Sequence, residues 1–203
     1  MSRRASRQTG MRARIAAAAA RVMAEDGVDD FALAKRKAAR RLGAPETEAM
    51  PTNDEVEAEL RAYRALYQAE DHGRIIDELR AVALDLMQVL AEFHPYLTGP
   101  VLKGIAGPHS EIDLQLFPDS AKDLEMFLLN RDIAFGTREG RRFSGDRTHS
   151  VSLFTLEWRG VPVRLSVLDR RDERVALKTS QAGRVMDRAG IAEVGALLRN
   201  APR

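Results

Sequence analysis

From Glu111 to Leu116 the chain alternates without a break: Glu111, Asp113 and Gln115 interleave with Ile112, Leu114 and Leu116. A strand repeats every second residue, so the apolar side chains share one face and the polar ones the other. On a helix the same residues would scatter around the axis. The segment is therefore a strand packed on one side, with two carboxylates next to each other on its open side. Such a pair repels unless positive charge sits between them. A divalent cation is the usual answer, and oxygen ligands of this kind suit Mg²⁺ or Mn²⁺. Upstream, Tyr96 to Thr98 reads as a short strand, and a Gly-rich turn containing Gly99, Gly104 and Gly107 separates the two.

Composition limits what can surround this unit. The 203 residues suffice for one ordinary domain or two small ones, and a 44% hydrophobic content supports a real core. Lys and Arg number 32 against 30 Asp and Glu, a net charge of +2 that gives no broad basic field. There is no cysteine, which excludes disulfides, thiolate zinc sites and cysteine nucleophiles and fits a reducing, cytoplasmic setting. No apolar run approaches the ~18 residues of a membrane span, so no membrane partner is expected. The opening MSRRASRQTGMRAR is Arg-rich and free of acids. It reads as the basic tail of a cytoplasmic protein, with a transit peptide as the alternative.

The chain divides by texture into a helical region, residues 1–94, and a strand-rich domain, residues 95–203. The fold class expected is α+β, a helical N-terminal half packed on a small mixed β-sheet. Apolar periodicity and caps predict helices over about Thr9–Glu25, Asp30–Gly43, Asn53–Gln68 and Gly73–Phe93. In the third, Val56, Leu60, Tyr63, Leu66 and Tyr67 are expected inward. The second carries Lys35, Arg36, Lys37, Arg40 and Arg41, a contact for phosphate or RNA or else a solvated helix face.

After the acidic strand, Pro118-Asp119-Ser120 opens a helix to Asn130. The stretch Phe135–Phe143, with Gly136, Gly140, Arg138, Arg141 and Arg142, reads as a mobile loop or an edge hairpin. With Arg147 it could grip a triphosphate or serve as a charged edge that resists aggregation. His149–Trp158 and Val161–Leu168 read as a hairpin around Arg159-Gly160, with Arg164 and Ser166 on the face opposite Val163 and Leu165. A segment from Ser180 through Gly183 and Gly190 leads to a short closing helix.

Gly99-Pro100 at a strand end, then Ser110 and Glu111-Ile112-Asp113-Leu114 on a strand, resembles the polymerase-β-type nucleotidyltransferase superfamily over Tyr96 to Leu168. The resemblance implies a sheet of nucleotidyltransferase type and transfer of a nucleoside monophosphate from a nucleoside triphosphate, such as ATP, to an unknown acceptor. Glu111 and Asp113 would bridge two Mg²⁺ or Mn²⁺ ions. Gly99 would let the backbone approach phosphate, and Lys103 and Ser110 would touch its oxygens. The sequence also departs from the superfamily. Pro100 replaces a small residue and removes an N–H, and Glu111 replaces the commoner Asp. Arg164 and Ser166 stand where a further carboxylate is expected, Asp169 has the wrong parity, and Glu157 lies on the neighbouring arm. Two expectations follow: a working metal-dependent transferase, or a nucleotidyltransferase fold that binds nucleotide or a partner without transfer. The opening RARIAAAAARVMAEDGVDDF also looks like the first helix of tetracycline-repressor-type regulators, which makes a DNA-binding regulator a further alternative. The AKRKAARRLGAPETEAMPTNDE that follows lacks their helix-turn-helix pattern.

Overall fold

A computed structural model describes residues 2–28, 30–44, 50–144, 147–175, 178 and 185–200. The expected loop residues 45–49, and Gly183 with its neighbours, lie outside them. The chain is α+β, with seven α-helices and one mixed five-stranded sheet among the described residues. It forms two compact units, residues 1–75 with 107–109 and residues 76–106 with 110–203. The second takes in the latter part of the fourth helix, which the division at residue 94 assigned to the helical region.

The first unit is built on α1 (Ser2–Glu25), which packs against both α2 (Phe31–Arg41) and α3 (Asn53–Tyr67). The segment expected as a basic tail forms the first turns of α1. Ile15, Ala16, Ala19, Ala20, Val22 and Met23 are buried at helical spacing. Asp30 caps α2 by accepting from Leu33 N, and Thr52 caps α3 in a capping box with Glu55. The connection from Leu42 to Thr52 is longer than the ~3–4-residue turn of a helix-turn-helix.

On α3 the buried stripe runs Val56, Leu60 and Arg64 at steps of four. In the last turn of the helix Leu66 is 73% and Tyr67 62% exposed, against their expected inward placement. Of the basic cluster on α2, Lys35 is spent on Pro51 O and Asn53 Oδ1, and Arg41 pairs with Asp26. Arg36 and Arg40 stay exposed one turn apart, and Lys37 is half-buried.

Arg12 and Glu55 form a forked ion pair, with Nε to Oε1 at 2.8 Å and Nη2 to Oε2 at 2.7 Å. The hydrogen bond from Arg12, helped by that from Thr52 N, pulls the Glu55 carboxyl down to about 2. A folded-state value below the ordinary 4.5 means this contribution is complete above about pH 4.5 and is lost as pH falls toward 2. Urea unfolding of the wild type and Glu55→Gln should therefore show a stability gap that is constant above this window and shrinks through it. A gap that persists at the acid end would overturn this assignment.

The second unit takes up the later residues of α4 (Ala69–Val89), where Ile76, Leu79, Ala83, Leu86, Met87 and Leu90 are buried along one stripe. β1 (Tyr96–Thr98), α5 (Gly99–Lys103), β2 (Ile112–Leu116) and α6 (Ala121–Leu129) follow. β3 (Phe135–Ser144), β4 (Arg147–Trp158), β5 (Val161–Val167) and α7 (Ile191–Arg199) complete the chain. The strand order is β1-β2-β5-β4-β3, with β2 and β5 parallel and the other pairs antiparallel. Register puts Ile112, Leu114, Leu116, Val163, Leu165, Phe154 and Leu156 on one buried face.

The β4–β5 turn is Arg159-Gly160, both with positive φ (51° and 79°), a conformation matched to the twist of the strands it joins. Asp85 of α4 holds this turn through Trp158 Nε1 and Arg159 Nη2. Phe135–Phe143 is an edge strand, one of the two readings open in the sequence. A Cβ at Gly140 would stand 2.9 Å from Leu153 Cδ1, and one at Gly136 3.0 Å from Thr155 Oγ1, so a larger residue at either place makes the neighbouring side chain shift.

Candidate functional site

The opposite face of the sheet carries Thr98, Asp113, Arg164, Thr155 and Gly136 in one row across the five strands. Its far half is closed by a cluster of Phe117, Val151, Leu153 and Leu168, against which Tyr96 and Val175 pack. The Arg188 guanidinium lies 4.7 Å from the Tyr96 ring centre, and Gln115 Nε2 reaches Met186 Sδ at 3.6 Å. The near half holds Glu111, Asp113 and Arg164.

Glu111 and Asp113 converge, and what lies between them is Arg164. Its Nη1 is 3.0 Å from Glu111 Oε2, its Nη2 is 2.5 Å from Asp113 Oδ1, and its Nε donates to the same oxygen at 2.8 Å. The parallel register pairs Asp113 directly with Arg164, so the guanidinium has to meet the carboxylate. The three side chains keep 36%, 19% and 31% exposure. Burial works to lower the Arg164 pKa. The charge of Asp113, its hydrogen bond and the charge of Glu111 outweigh that and hold it above the usual arginine value. One guanidinium thus meets both carboxylates.

Gly99 sits beside this group at φ +71°, and a Cβ there would lie 2.6 Å from Asp113 Oδ2. The residue is glycine because the Asp113 carboxylate occupies the space a side chain would need. Pro100 opens α5 at a position where proline's fixed φ and missing N–H suit a helix start. Gly104 at φ +69° ends α5, and Arg80 bonds the terminal carbonyls of Val101 and Leu102 at 3.3 and 3.0 Å.

Lys103 ends the helix half-buried, while Ser110 is only 2% exposed and so is not presented to a phosphate. The Thr98 hydroxyl is buried and donates to the Asp113 carbonyl at 3.2 Å.

Neither remaining acid joins the pair. Asp169 caps the 3-10 turn Arg170–Arg174 and bonds Arg171, and Glu157 is exposed opposite Pro162 near the hairpin turn. Among the described residues no group of three or more His, Asp or Glu side chains is placed to hold a metal. With a guanidinium already between Glu111 and Asp113, the donor set that the described residues supply does not fit a two-metal centre.

Two histidines that carry no sequence motif are paired on the same short turn. His94 Nδ1 is 3.1 Å from Glu173 Oε1, and His149 Nδ1 is 2.8 Å from Asp172 Oδ2. Tyr96 OH also donates to Glu173 at 3.0 Å. Burial raises the Glu173 pKa, but the hydrogen bonds from Tyr96 and His94 and the charge of His94 prevail and lower it. These contacts tie the 170–175 segment to the far half of the sheet.

No helix among the described residues is long and apolar enough to cross a membrane. No protein-family model matches the chain, and no curated protein matches it.

Proposed function

We propose that this chain is a nucleotidyltransferase-like protein that works by binding a nucleotide or a partner, without transferring a nucleoside monophosphate. The observation that carries this reading is Arg164, whose guanidinium sits between the two carboxylates at the position where a further acid was expected. A fixed guanidinium supports the strand pairing but cannot polarise an acceptor hydroxyl or bridge a triphosphate as a metal ion does. Two carboxylates at this cluster repel a polyphosphate, so a neutral base and ribose, or a basic partner surface, suit it better. RNA contact through Arg36 and Arg40, which α2 leaves exposed, belongs to the same class of binding role.

The competing reading, a working metal-dependent transferase, draws on the convergence of Glu111 and Asp113 beside Gly99. It requires Arg164 to leave and two metal ions to enter. Purified protein incubated with labelled ATP, CTP, GTP and UTP, plus Mg²⁺ or Mn²⁺, separates the two. The expected result is no labelled acceptor, with any nucleotide binding indifferent to EDTA. Label on an acceptor that disappears in Glu111→Ala and Asp113→Ala establishes the transferase instead.

A further inference from the structure

The two edges of the sheet are finished differently. The outer edge of β1 is covered, since Leu97 N donates to Ala189 O at 2.8 Å and Ala189 N returns a bond to Leu97 O at 2.9 Å. The outer edge of β3 has no strand beside it among the described residues. Apart from its charged side chains, β3 also lacks the common protections of an edge. It is ten residues long, and its register with β4 runs unbroken from Phe135↔Leu156 to Ser144↔Arg147, without a bulge or proline. Half of the backbone N–H and C=O groups of such a strand point away from its neighbour and can pair with another extended chain.

A groove of about 290 Å³ runs beside this edge between α6 and the strands, lined by Lys122, Glu125, Thr137, Glu139, Ser152 and Phe154. The helix wall continues past it. Met126 and Leu129 share the stripe of Lys122 and Glu125 at helical spacing and are 48% and 54% exposed. An open edge next to a groove with a partly apolar helix wall is the geometry in which an extended peptide adds as a further strand. Its alternate side chains then enter the groove.

Charge selects the occupant. Arg138, Arg141 and Arg142 lie on β3, and its acid, Glu139, faces Ser150 and Ser152 at 3.3 and 3.4 Å. A second copy adding antiparallel would bring one arginine-rich strand against another, and like charges across a strand pair are destabilising. An acidic strand meets the opposite sign. We infer that the β3 edge and the α6 groove form a docking site for an extended acidic segment of another protein, alternating acidic and apolar residues. This inference does not depend on how the Arg164 cluster is read.

The test uses the full chain and a fluorescent peptide alternating Glu and Val. The controls are a peptide of the same length alternating Lys and Val and a Glu–Val peptide with a central Pro. Saturable binding of the acidic peptide alone is expected, with slowed hydrogen exchange confined to β3 amides. Arg138→Glu should weaken it about threefold, as one reversed cross-strand charge pair would, and Arg141→Glu, on the other face of the strand, should weaken it less. Both substitutions lie at exposed positions, so folding should be retained, as circular dichroism would verify. Equal binding of the Lys–Val peptide, no saturation by millimolar peptide, or exchange protection elsewhere overturns the proposal. So does a dimer in analytical ultracentrifugation that the same substitutions dissolve.

Discussion

Replacing Gly99 with alanine lowers the stability of the fold by about 3 kcal/mol. About 1–2 kcal/mol of this comes from holding an L-residue at φ +71°. The rest comes from collision, because the new Cβ would stand 2.6 Å from Asp113 Oδ2, well inside van der Waals contact. The carboxylate must move, and its bonds to Arg164 move with it. In a chain of this size each kcal/mol corresponds to ~2–4 °C in Tm, so a drop of ~6–12 °C is expected in thermal unfolding. A double-mutant cycle isolates the collision. Gly99→Ala should cost less in an Asp113→Ala background, by about 1–2 kcal/mol of coupling. Additive costs would mean that the glycine serves only the backbone turn.

The second large effect is expected at Arg164. Arg164→Met leaves two carboxylates facing each other without the guanidinium between them. Breaking a buried pair costs ~3–5 kcal/mol, and the 31% exposure of the arginine reduces that to about 2–3 kcal/mol here. Two further measurements tie the loss to charge. At low pH, where carboxylates are neutral, the variant and the wild type should approach each other in stability. Millimolar Mn²⁺ or Mg²⁺ should raise the Tm of Arg164→Met and leave the wild type unchanged, because only the variant has vacant carboxylates. A wild type stabilised as much as the variant would show that a cation enters with Arg164 in place, and the binding-only reading would fall.

Much of this region could be read in the sequence because short-range rules governed it. Alternation fixed β2 and its two faces, and positive-φ residues closed the Arg159-Gly160 hairpin. Caps at Asp30, Thr52 and Ser120 set three helix starts. The need for a positive charge between Glu111 and Asp113 also followed from their spacing alone.

The supplier of that charge did not. Arg164 is far along the chain, and only the parallel pairing of β2 with β5 sets it opposite Asp113. A basic residue at that register position was the available signal, but a one-dimensional reading treats it as a missing acid. The same limit hid the roles of the glycines. Gly136 and Gly140 resemble loop residues in sequence, yet they lie in a strand where Thr155 and Leu153 take up the space of a side chain. The inward placement expected for Leu66 and Tyr67 failed because helical spacing defines a stripe but not which turn of it the neighbouring helix covers.

The sequence by itself determined the local elements and the electrostatic demand of an acid pair on an open strand, since both arise from residues within a few positions of one another. The tertiary structure alone decided that an arginine meets this demand, that one sheet edge is covered and that the other has no strand beside it among the described residues. Those outcomes depend on which distant strands become neighbours, and nothing within a single strand encodes its partner's register.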